Sequence, residues 1–370
     1  MIDVKKVETK KELEEFVRFP WRIYQGNPYW VPPLISEVKE ILDTSKNPFW
    51  EHAYRELFLA RKEERVVGRI VSIVDDNHNK FHNEKTGFFG FFESIDDNEV
   101  ALKLLSTAEK WVKEKGMTVI RGPVNPSLND ECAFLLEGFD KPPVVMMPYT
   151  PAYYLKLVEQ CGYYKAKDLL ALLKKREDGI PKRIVDMVEK VRKKLGVKIR
   201  PVDLRHFDRD IQILKEIYNS AWERNWGFVP MTDKEMDYTA RKLKTFVDPD
   251  VALFAEVNDK PIGVVISVPD INQILIKLNG KLGPIEVLKF LYYKKKVTGV
   301  RSLIGGVKKE YRNTGIIALL YYETEIRGRK KYEWSELGWN LEDNDLINRF
   351  DMAIGGKIYK KYRIYEKKIE

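Results

Sequence analysis

The sequence predicts an α/β protein of two similar domains, each with a mixed, mostly antiparallel sheet flanked by helices. At 370 residues the chain is longer than one ordinary hydrophobic core accommodates. Apolar segments with strand and helix periods follow one another along it, and its second half repeats the pattern of the first. We place the domains at residues 1–176 and 197–370, joined by a basic helical connector at residues 177–196.

The repeat is visible as identical residues at two constant offsets. An offset of 195 relates Ala60/Ala255, Gly68/Gly263, Ser72/Ser267 and Asp75/Asp270, and an offset of 215 relates Leu104/Leu319, Leu105/Leu320, Asn125/Asn340 and Asn129/Asn344. The change of 20 fits one insertion, which we place around Asn272–Lys294 and expect to be an amphipathic helix carrying Ile285, Val287, Leu288, Leu291 and Tyr292. This regularity predicts that one domain was duplicated.

The elements of the second half follow from its apolar periodicity. We predict helix 207–225, strands 251–257 and 262–268, strand 300–307, helix 315–329, strand 333–339, helix 344–353 and strand 357–366. The first half follows the same order and contains a hairpin between Leu57 and Asp75. The connector helix starts after Pro181 and ends at Gly196. A mixed sheet with helices on both faces follows.

Positive charge is concentrated near the connector. The chain has a formal net charge of +9, and residues 165–200 contain thirteen Lys or Arg against five acidic residues. Such a stretch attracts anionic partners such as tRNA or an acidic lipid surface. The alternative interpretation is a solvated helix face between the domains.

The chain carries no sign of export or of a metal site. The N-terminus mixes Lys and Glu, and no uncharged apolar run has the length of a membrane span, so we expect a cytoplasmic protein. Cys132 and Cys161 lack metal-ligand spacing and are expected to be reduced, partly buried thiols. His78 and His82, four residues apart, are expected in an exposed loop and not at a metal.

The junction between strand 300–307 and helix 315–329 is the most informative segment. A strand runs into a loop with Arg312 and Gly315 three residues apart, and an apolar helix then begins. Unpaired backbone N–H groups at a helix N-terminus hold phosphate, and Gly315 would let the backbone approach the anion closely. Lys308, Lys309 and Arg312 add positive charge. The junction therefore predicts a phosphate-binding site.

This junction resembles the pyrophosphate loop of the GNAT superfamily of acyl-CoA-dependent N-acyltransferases, whose pattern is Q/R-x-x-G-x-G/A. Arg312 and Gly315 match its first two fixed positions, and Ile317 departs from the third, where a small residue is usual. Asn344 and Gly355 are spaced as in the family's later N…GF segment, so the resemblance covers the second half. It implies acetyl-CoA or another acyl-CoA as co-substrate, with these residues as its contacts: Val307, Lys308, Arg312, Asn313, Thr314, Gly315, Ile316, Ile317 and Asn344.

The resemblance also implies a mechanism. The pantetheine arm would lie between strands 300–307 and 333–339, and an amine would attack the thioester while the Val307 N–H polarises its carbonyl oxygen. In many family members a tyrosine seven residues after the Asn protonates the thiolate. That position is Asp351, which is a poor acid at neutral pH unless its pKa is raised. Glu336 is our candidate base, and an ion-paired carboxylate is its alternative role.

The first half lacks the phosphate machinery. Its corresponding loop, Glu93–Glu99, contains four carboxylates, which favour a helix N-terminus and repel phosphate. We therefore expect this half to keep the fold without the coenzyme site. Its polar, proline-rich loops are candidates for substrate recognition. We assign substrate binding to Asn125, Asn129, Asn340, Trp222 and Trp226, with packing as the alternative role of the aromatic residues.

Three functions are compatible with these features. The first is an N-acyltransferase that moves an acetyl or acyl group from coenzyme A to an amine of a small molecule or amino acid. The second is an aminoacyl-tRNA-dependent transferase, whose RNA would contact residues 165–200. The third is a non-catalytic CoA-binding or sensing protein, for which Asp351 and Ile317 argue. The Arg-x-x-Gly loop favours the first over nucleic acid, and the sequence does not indicate the oligomeric state.

Overall fold

The computed structural model describes residues 1–222 and 225–369, without the side chains of residues 219–222. The strands are β1 (Ile2–Lys6), β2 (Ala53–Lys62), β3 (Arg65–Asp75), β4 (Thr86–Ser94), β5 (Val119–Gly122), β6 (Val124–Asn125), β7 (Glu131–Cys132), β8 (Phe134–Glu137), β9 (Tyr164–Lys175), β10 (Lys198–Pro201), β11 (Ala252–Val257), β12 (Lys260–Pro269), β13 (Gly299–Val307), β14 (Trp334–Leu341) and β15 (Lys357–Lys368).

The α-helices are α1 (Lys10–Ile23), α2 (Ile35–Leu42), α3 (Asp76–His82), α4 (Asn98–Glu114), α5 (Tyr153–Gln160), α6 (Lys182–Leu195), α7 (Phe207–Trp222), α8 (Asp233–Lys244), α9 (Asn272–Leu278), α10 (Pro284–Lys294), α11 (Ile316–Gly328) and α12 (Asp345–Ala353). The predicted elements of the second half are present, with every described end within two residues of its predicted position. The predicted C-terminal end of helix 207–225 extends over residues that the structure does not describe.

The chain forms two compact units that are not continuous in sequence. The first comprises Met1–Leu169, Ile274–Leu291 and Lys360–Glu370. Its sheet has the order β1-β2-β3-β4-β5 followed by the C-terminal part of β15, and β8 pairs with β15 as well. Neighbours are antiparallel except β4 and β5, which run parallel. Helix α4 packs on this sheet with Leu104 and Leu105 fully buried.

The second unit comprises Leu170–Gln273 and Tyr292–Tyr359. Its sheet has the order β10-β11-β12-β13-β14, and residues 170–175 of β9 lie beside β14. Strands β10 to β13 are antiparallel, and β13 and β14 run parallel. Helices α6 and α11 pack on each other and share a core with Leu253 and Leu337. Each unit is thus a mixed, mostly antiparallel sheet with helices, as the sequence predicts.

The strand register shows the duplication directly. Ala60 lies opposite Gly68 in the first unit, Ala255 lies opposite Gly263 in the second, and the register shifts immediately after each alanine. The parallel ladders begin with the pairs Thr86↔Val119 and Gly299↔Trp334. The second member of each pair differs by 215 positions, which is the offset found in the sequence.

The two repeated glycines serve the same purpose. A Cβ atom on Gly68 would lie 2.6 Å from Leu104 of α4, and one on Gly263 would lie 3.2 Å from Leu320 of α11. In each unit the long helix therefore approaches its sheet where the strand has no side chain.

The insertion differs from the expected single helix, because it forms α9 and α10. Its loop is held within the first unit by Trp21, whose indole Nε1 donates to Asn279 Oδ1 at 2.9 Å. The Ile35 amide also donates to Gly280 O at 3.0 Å. Gly280 has φ +77°, and a Cβ there would lie 2.2 Å from the Trp21 ring. Trp21, near the N-terminus, thus packs against the insertion.

Two further features differ from expectation. Helix α8 lies where no helix was predicted, although Thr232 and Glu235 form a capping box that the sequence displays. His78 and His82 lie in α3 rather than in an exposed loop, because Asp75 caps that helix by accepting from the Asn77 amide. His78 is buried against Phe88.

Cys132 and Cys161 are buried thiols, the former completely so. Within the described ranges, no group of three or more His, Cys, Asp or Glu side chains has a metal-binding arrangement. No helix in the described part of the chain combines the length and the apolar character needed to cross a bilayer.

Candidate active site

The predicted phosphate loop lies where β13 ends and α11 begins. A short 3₁₀ turn, Lys309–Tyr311, is followed by two residues in the left-handed region, Asn313 at φ 63° and Gly315 at φ 83°. Gly315 is the N-cap of α11 and supplies no side-chain cap. The first donor of the helical ladder is Leu319, which donates to Gly315 O at 3.1 Å. The preceding amides therefore point out of the helix end, in the arrangement with which helix N-termini can hold an anion.

Gly315 also meets a second structural demand. A Cβ atom there would lie 2.7 Å from Val191 Cγ2, and the Met187 side chain is also within contact distance. Both residues belong to α6, which therefore forms a wall beside the loop. Glycine at this position is required by the left-handed turn and by α6, in addition to the close anion approach that we expected.

The three basic side chains expected at the loop, Lys308, Lys309 and Arg312, differ in their exposure and ion pairing. Lys308 Nζ lies 3.5 Å from Glu216 Oε2, so part of its charge is already matched. Lys309 is exposed and Arg312 is half-buried. The Thr314 hydroxyl donates to Tyr311 O at 2.6 Å and therefore stabilises the turn. Ile317, which departs from the family pattern, packs against the core of the unit.

The corresponding helix end of the first unit is filled by a side chain. Asp97 is the N-cap of α4, and its Oδ1 accepts from the Glu99 amide at 2.9 Å and the Val100 amide at 3.4 Å. Glu93 is buried, with Arg69 3.6 Å away and a 2.6 Å hydrogen bond from the Tyr154 hydroxyl. The carboxylates of this loop thus cap and brace the unit. A phosphate would have to displace Asp97 from the amides.

Strands β13 and β14 pair over a short distance only. Their parallel register runs from Gly299↔Trp334 to Ser302↔Leu337, whereas β13 remains paired with β12 as far as Val307↔Gly263. The register of β12 and β13 shifts by one residue at Leu303, which has no opposite residue on β12. Among the described residues the ladder between β13 and β14 ends at Ser302, which leaves strand backbone beyond it for an extended ligand.

A hydroxyl group lies at this divergence. The hydroxyl of Tyr321 on α11 lies close to Ser302. A Cβ atom on Gly305 would lie 2.8 Å from the Tyr321 hydroxyl oxygen, so glycine makes room for that hydroxyl. Burial and the charge of Asp351 raise the pKa of Tyr321, which keeps it protonated at neutral pH. The sequence interpretation did not include Tyr321, because its position on α11 differs from the family's tyrosine.

Asp351, which the sequence assigned to catalysis, is a buried carboxyl group. It is 1% exposed, and its Oδ2 accepts from Asn340 Nδ2 at 2.7 Å. Its Oδ1 has no hydrogen-bond partner within the described residues. Burial raises the pKa of Asp351 to about 7, although the Asn340 hydrogen bond acts in the opposite direction. The carboxyl group therefore exists in both protonation states near neutral pH.

Glu336 lies on β14, opposite Arg301 of β13. It is fully buried, accepts a hydrogen bond from the Tyr359 hydroxyl, and lies 3.7 Å from Arg301 Nε. Arg301 in turn donates to Gly338 O at 3.1 Å. The carboxylate of Glu336 is thus ion-paired, which is the alternative role that the sequence left open. The Tyr359 hydroxyl that hydrogen-bonds to it belongs to a half-buried residue.

A pocket that is open to solvent lies on the α11 face of the second unit. Its lining combines apolar side chains with charged residues, of which Lys174 and Glu325 pair at 3.2 Å. The residues of its inner wall include Val251, Val300, Ala318, Tyr321, Leu337 and Ile354. Ser302 and Leu337, the last parallel pair of β13 and β14, both line it. The pocket therefore begins where the strands diverge.

The remaining predicted site residues lie in different places. In the first unit, Asn125 Oδ1 accepts from the Phe91 amide at 2.6 Å, and the Asn129 amide donates to Ser127 Oγ at 3.1 Å, so both stabilise loops. Asn344 is the N-cap of α12 without a side-chain cap. Trp226 is half-buried. The Trp222 side chain lies outside the described residues.

Two curated proteins resemble the chain over nearly its whole length. Protein YghO of Escherichia coli (strain K12) is 38% identical over 369 residues, which cover 97% of this chain and 94% of that protein. A bacterial ceramide synthase of Caulobacter vibrioides (strain NA1000 / CB15N) is 36% identical over 370 residues, which cover 98% of this chain and 96% of that protein. No family model matches the chain.

Solved structures share the fold at low sequence identity. A tandem GNAT protein from the clavulanic acid biosynthesis pathway has a TM-score of 0.59 at 12% identity, covering 100% of this chain and 99% of that chain. A GCN5-related N-acetyltransferase from Sphaerobacter thermophilus has a TM-score of 0.52 at 12% identity, covering 100% of this chain and 96% of that chain. At these identities the similarity concerns the fold alone.

Proposed function

We propose that the chain is an acyl-CoA-dependent N-acyltransferase acting on a long-chain amine. It belongs to the same family as YghO and the bacterial ceramide synthase, and it is a tandem member of the GNAT superfamily. A ceramide is the amide of a fatty acid with a long-chain amino alcohol, so the name of that relative describes N-acylation of a lipid amine. The observation that carries the proposal is the N-terminus of α11, whose N-cap Gly315 supplies no side-chain cap, beside the point where β13 and β14 diverge.

The residues at the helix end fit a pyrophosphate. The amides of Ile316 and Ile317 lie in the first turn of α11, and Lys309 and Arg312 supply positive charge beside them. The contrast with the first unit supports this fit, because Asp97 occupies the same kind of helix end there. Acyl-CoA bound in this way would present a thioester carbonyl carbon to an amine.

We also propose a revised donor for the thioester oxygen. Val307 adjoins the phosphate loop, and an extended pantetheine arm separates the phosphates from the thioester by several strand residues. Leu303 lies four residues before Val307, about 13 Å along the strand. Its unopposed position in the register makes its backbone a better candidate than that of Val307 to polarise the carbonyl.

Two acidic groups have distinct proposed roles. Asp351, with a pKa of about 7, would donate a proton to the leaving sulfur of coenzyme A. The Tyr321 hydroxyl, which lies beside Ser302 and Gly305, would orient that sulfur. Glu336 stays our candidate base and would receive the amine proton through Tyr359. The apolar pocket would hold the acyl chain, because it starts at Ser302 and Leu337.

The alternative functions receive less support. Several basic side chains in residues 165–200 are neutralised within the second unit, since Lys174 pairs with Glu325, Arg192 with Glu323 and Arg200 with Asp210. That arrangement explains part of the charge without RNA. The raised pKa of Asp351 favours an enzyme over a sensor.

The test is acyl transfer by the purified chain. Acetyl- to palmitoyl-CoA would be combined with short and long primary amines, and free thiol and amide product would both be measured. We expect thiol release that depends on the amine and is strongest with long acyl chains. Arg312→Glu should weaken acyl-CoA binding at least tenfold, while Arg65→Glu, the same charge change on an exposed hairpin of the first unit, should not. Salt-sensitive tRNA binding without any CoA response would refute the proposal.

A further inference from the structure

Helix α10 exposes apolar side chains that a soluble protein normally buries. Its described residues include none that is buried, and Ile285, Leu288 and Leu291 are 65%, 68% and 57% exposed. Val287 and Tyr292 are 45% and 58% exposed, and Leu282, just before the helix, is 55% exposed. Contiguous apolar exposure of this kind marks an interaction surface.

These side chains share one face of the helix. At about 100° per residue, Val287, Leu291, Leu288, Tyr292 and Ile285 follow one another around an arc of about 160°. The opposite face contains Glu286, Phe290 and Tyr293, which are half-buried against the protein. The apolar arc therefore faces away from the side on which α10 packs against the protein.

Lysines lie at both margins of the arc. Lys289 follows Ile285 on one side, and Lys294 precedes Val287 on the other, by the same angular count. Residues 272–296 contain six lysines and a single acidic residue, Glu286, which gives a net charge of +5. Apolar residues at the centre and lysines at the margins are the pattern of helices that lie in a membrane interface, where lysine side chains reach the phosphates.

The loop that precedes α10 is held in place by hydrogen bonds. The preceding loop is held by the hydrogen bond from Trp21 to Asn279 and by that from the Ile35 amide to Gly280. Trp21 also lies against Gly280. Backbone and indole groups of the first unit thus anchor the N-terminal end of α10, which carries the exposed apolar arc.

We propose that α10 docks the protein on an anionic phospholipid bilayer, with Leu282, Ile285, Leu288 and Leu291 inserted at the headgroup boundary and the flanking lysines on lipid phosphates. The charge selects this occupant, since an apolar protein partner does not require a margin of lysines. The inference is independent of the proposed acyl transfer, although a surface-bound enzyme would meet long-chain amines where they accumulate.

The test is sedimentation of the full chain with vesicles. Phosphatidylcholine vesicles would be compared with vesicles in which part of the lipid is phosphatidylglycerol. We expect binding to the anionic vesicles that weakens with salt, and little binding to the neutral ones. The triple variant Ile285→Ser, Leu288→Ser, Leu291→Ser should bind at least tenfold less. Changing Lys294, Lys295 and Lys296 to Gln should weaken binding about fivefold for each lysine in contact.

The matched control carries Tyr54→Ser, Phe81→Ser and Leu102→Ser, which remove exposed large apolar side chains elsewhere in the first unit. Circular dichroism and thermal unfolding verify that each variant folds. Equal vesicle binding by the wild type and the α10 triple variant overturns the proposal. So does a wild-type dimer that the triple variant dissociates while neither binds vesicles, because α10 would then contact a second copy. Acyl transfer to a short soluble amine is measured alongside, and its loss would concern the proposed function alone.

Discussion

The Asn340 side chain donates a 2.7 Å hydrogen bond to Asp351, a carboxyl group that is 1% exposed. The sequence placed Asn340 with the substrate and Asp351 with catalysis, and the structure joins them as a pair. One hydrogen bond stabilises the carboxylate, yet burial outweighs it and raises the pKa of Asp351 to about 7. A buried carboxyl group in this state makes folding stability and catalysis depend on pH over the same range.

Folding stability should fall as the pH rises from 5 to 8. Asp351 has a pKa of about 7 in the folded protein and near 3.8 when unfolded, so the folded state binds the proton more tightly between these values. Between pH 5 and pH 8 this difference lowers the free energy of unfolding by about 2 to 3 kcal/mol. Asp351→Asn should remove this dependence, as measured by urea unfolding at several pH values. An unchanged slope in the variant would show that another group is responsible.

Acyl transfer should depend on the same group. If Asp351 supplies the proton to sulfur, kcat declines above pH 7 in the wild type. Asp351→Asn should lower kcat by about 10²- to 10³-fold and leave no such decline. Tyr321→Phe should lower kcat while retaining the pH dependence, because that hydroxyl orients and does not titrate in this range. If the kcat of Tyr321→Phe did not decline above pH 7, Tyr321 would be the proton donor and Asp351 the orienting group.

The pocket should set the preferred acyl length. Ser335 lines it and is half-buried, so Ser335→Phe would fill part of the space. We expect the preference, measured as kcat/KM across a series of acyl-CoAs, to move toward shorter chains. Ser106→Phe, an exposed serine on α4, is the control and should leave the preference unchanged. Equal loss for all chain lengths in Ser335→Phe would indicate distortion of β14 instead.

The Asp97 cap should act on stability alone. Its carboxylate accepts from two amides at the start of α4, and Asp97→Ala should cost about 1 kcal/mol of unfolding free energy. Acyl-CoA affinity should not change, since the coenzyme site is proposed for the second unit. Calorimetric titration beside denaturant unfolding measures both quantities. Tighter acyl-CoA binding by the variant would mean that the first unit also takes the ligand.

Sequence patterns were sufficient for the fold and the location of the loop. Strand and helix periods are local properties. The offset of 195 reappears as the same hairpin register, and in both units the repeated glycine faces a leucine of the long helix. The Arg312–Gly315 spacing identified a helix end whose conformation the structure shares.

Residues brought together by tertiary packing could not be predicted in this way. The pKa of Asp351 depends on burial between elements, and Tyr321 reaches Ser302 only because α11 crosses β13. The same holds for Trp21 and Asn279, which are 258 positions apart. Glu336 was identified as a charged residue, but its partner Arg301 lies on a neighbouring strand.

The contact of Val191 with Gly315 has a consequence for truncation of the chain. Helix α6, which the sequence predicts as a connector, belongs to the second unit and supports the turn at Gly315. A gene fragment that starts at residue 197 would therefore lack one wall of the proposed coenzyme loop. Insertions or deletions within α6 should therefore be tolerated less well than those in an ordinary linker.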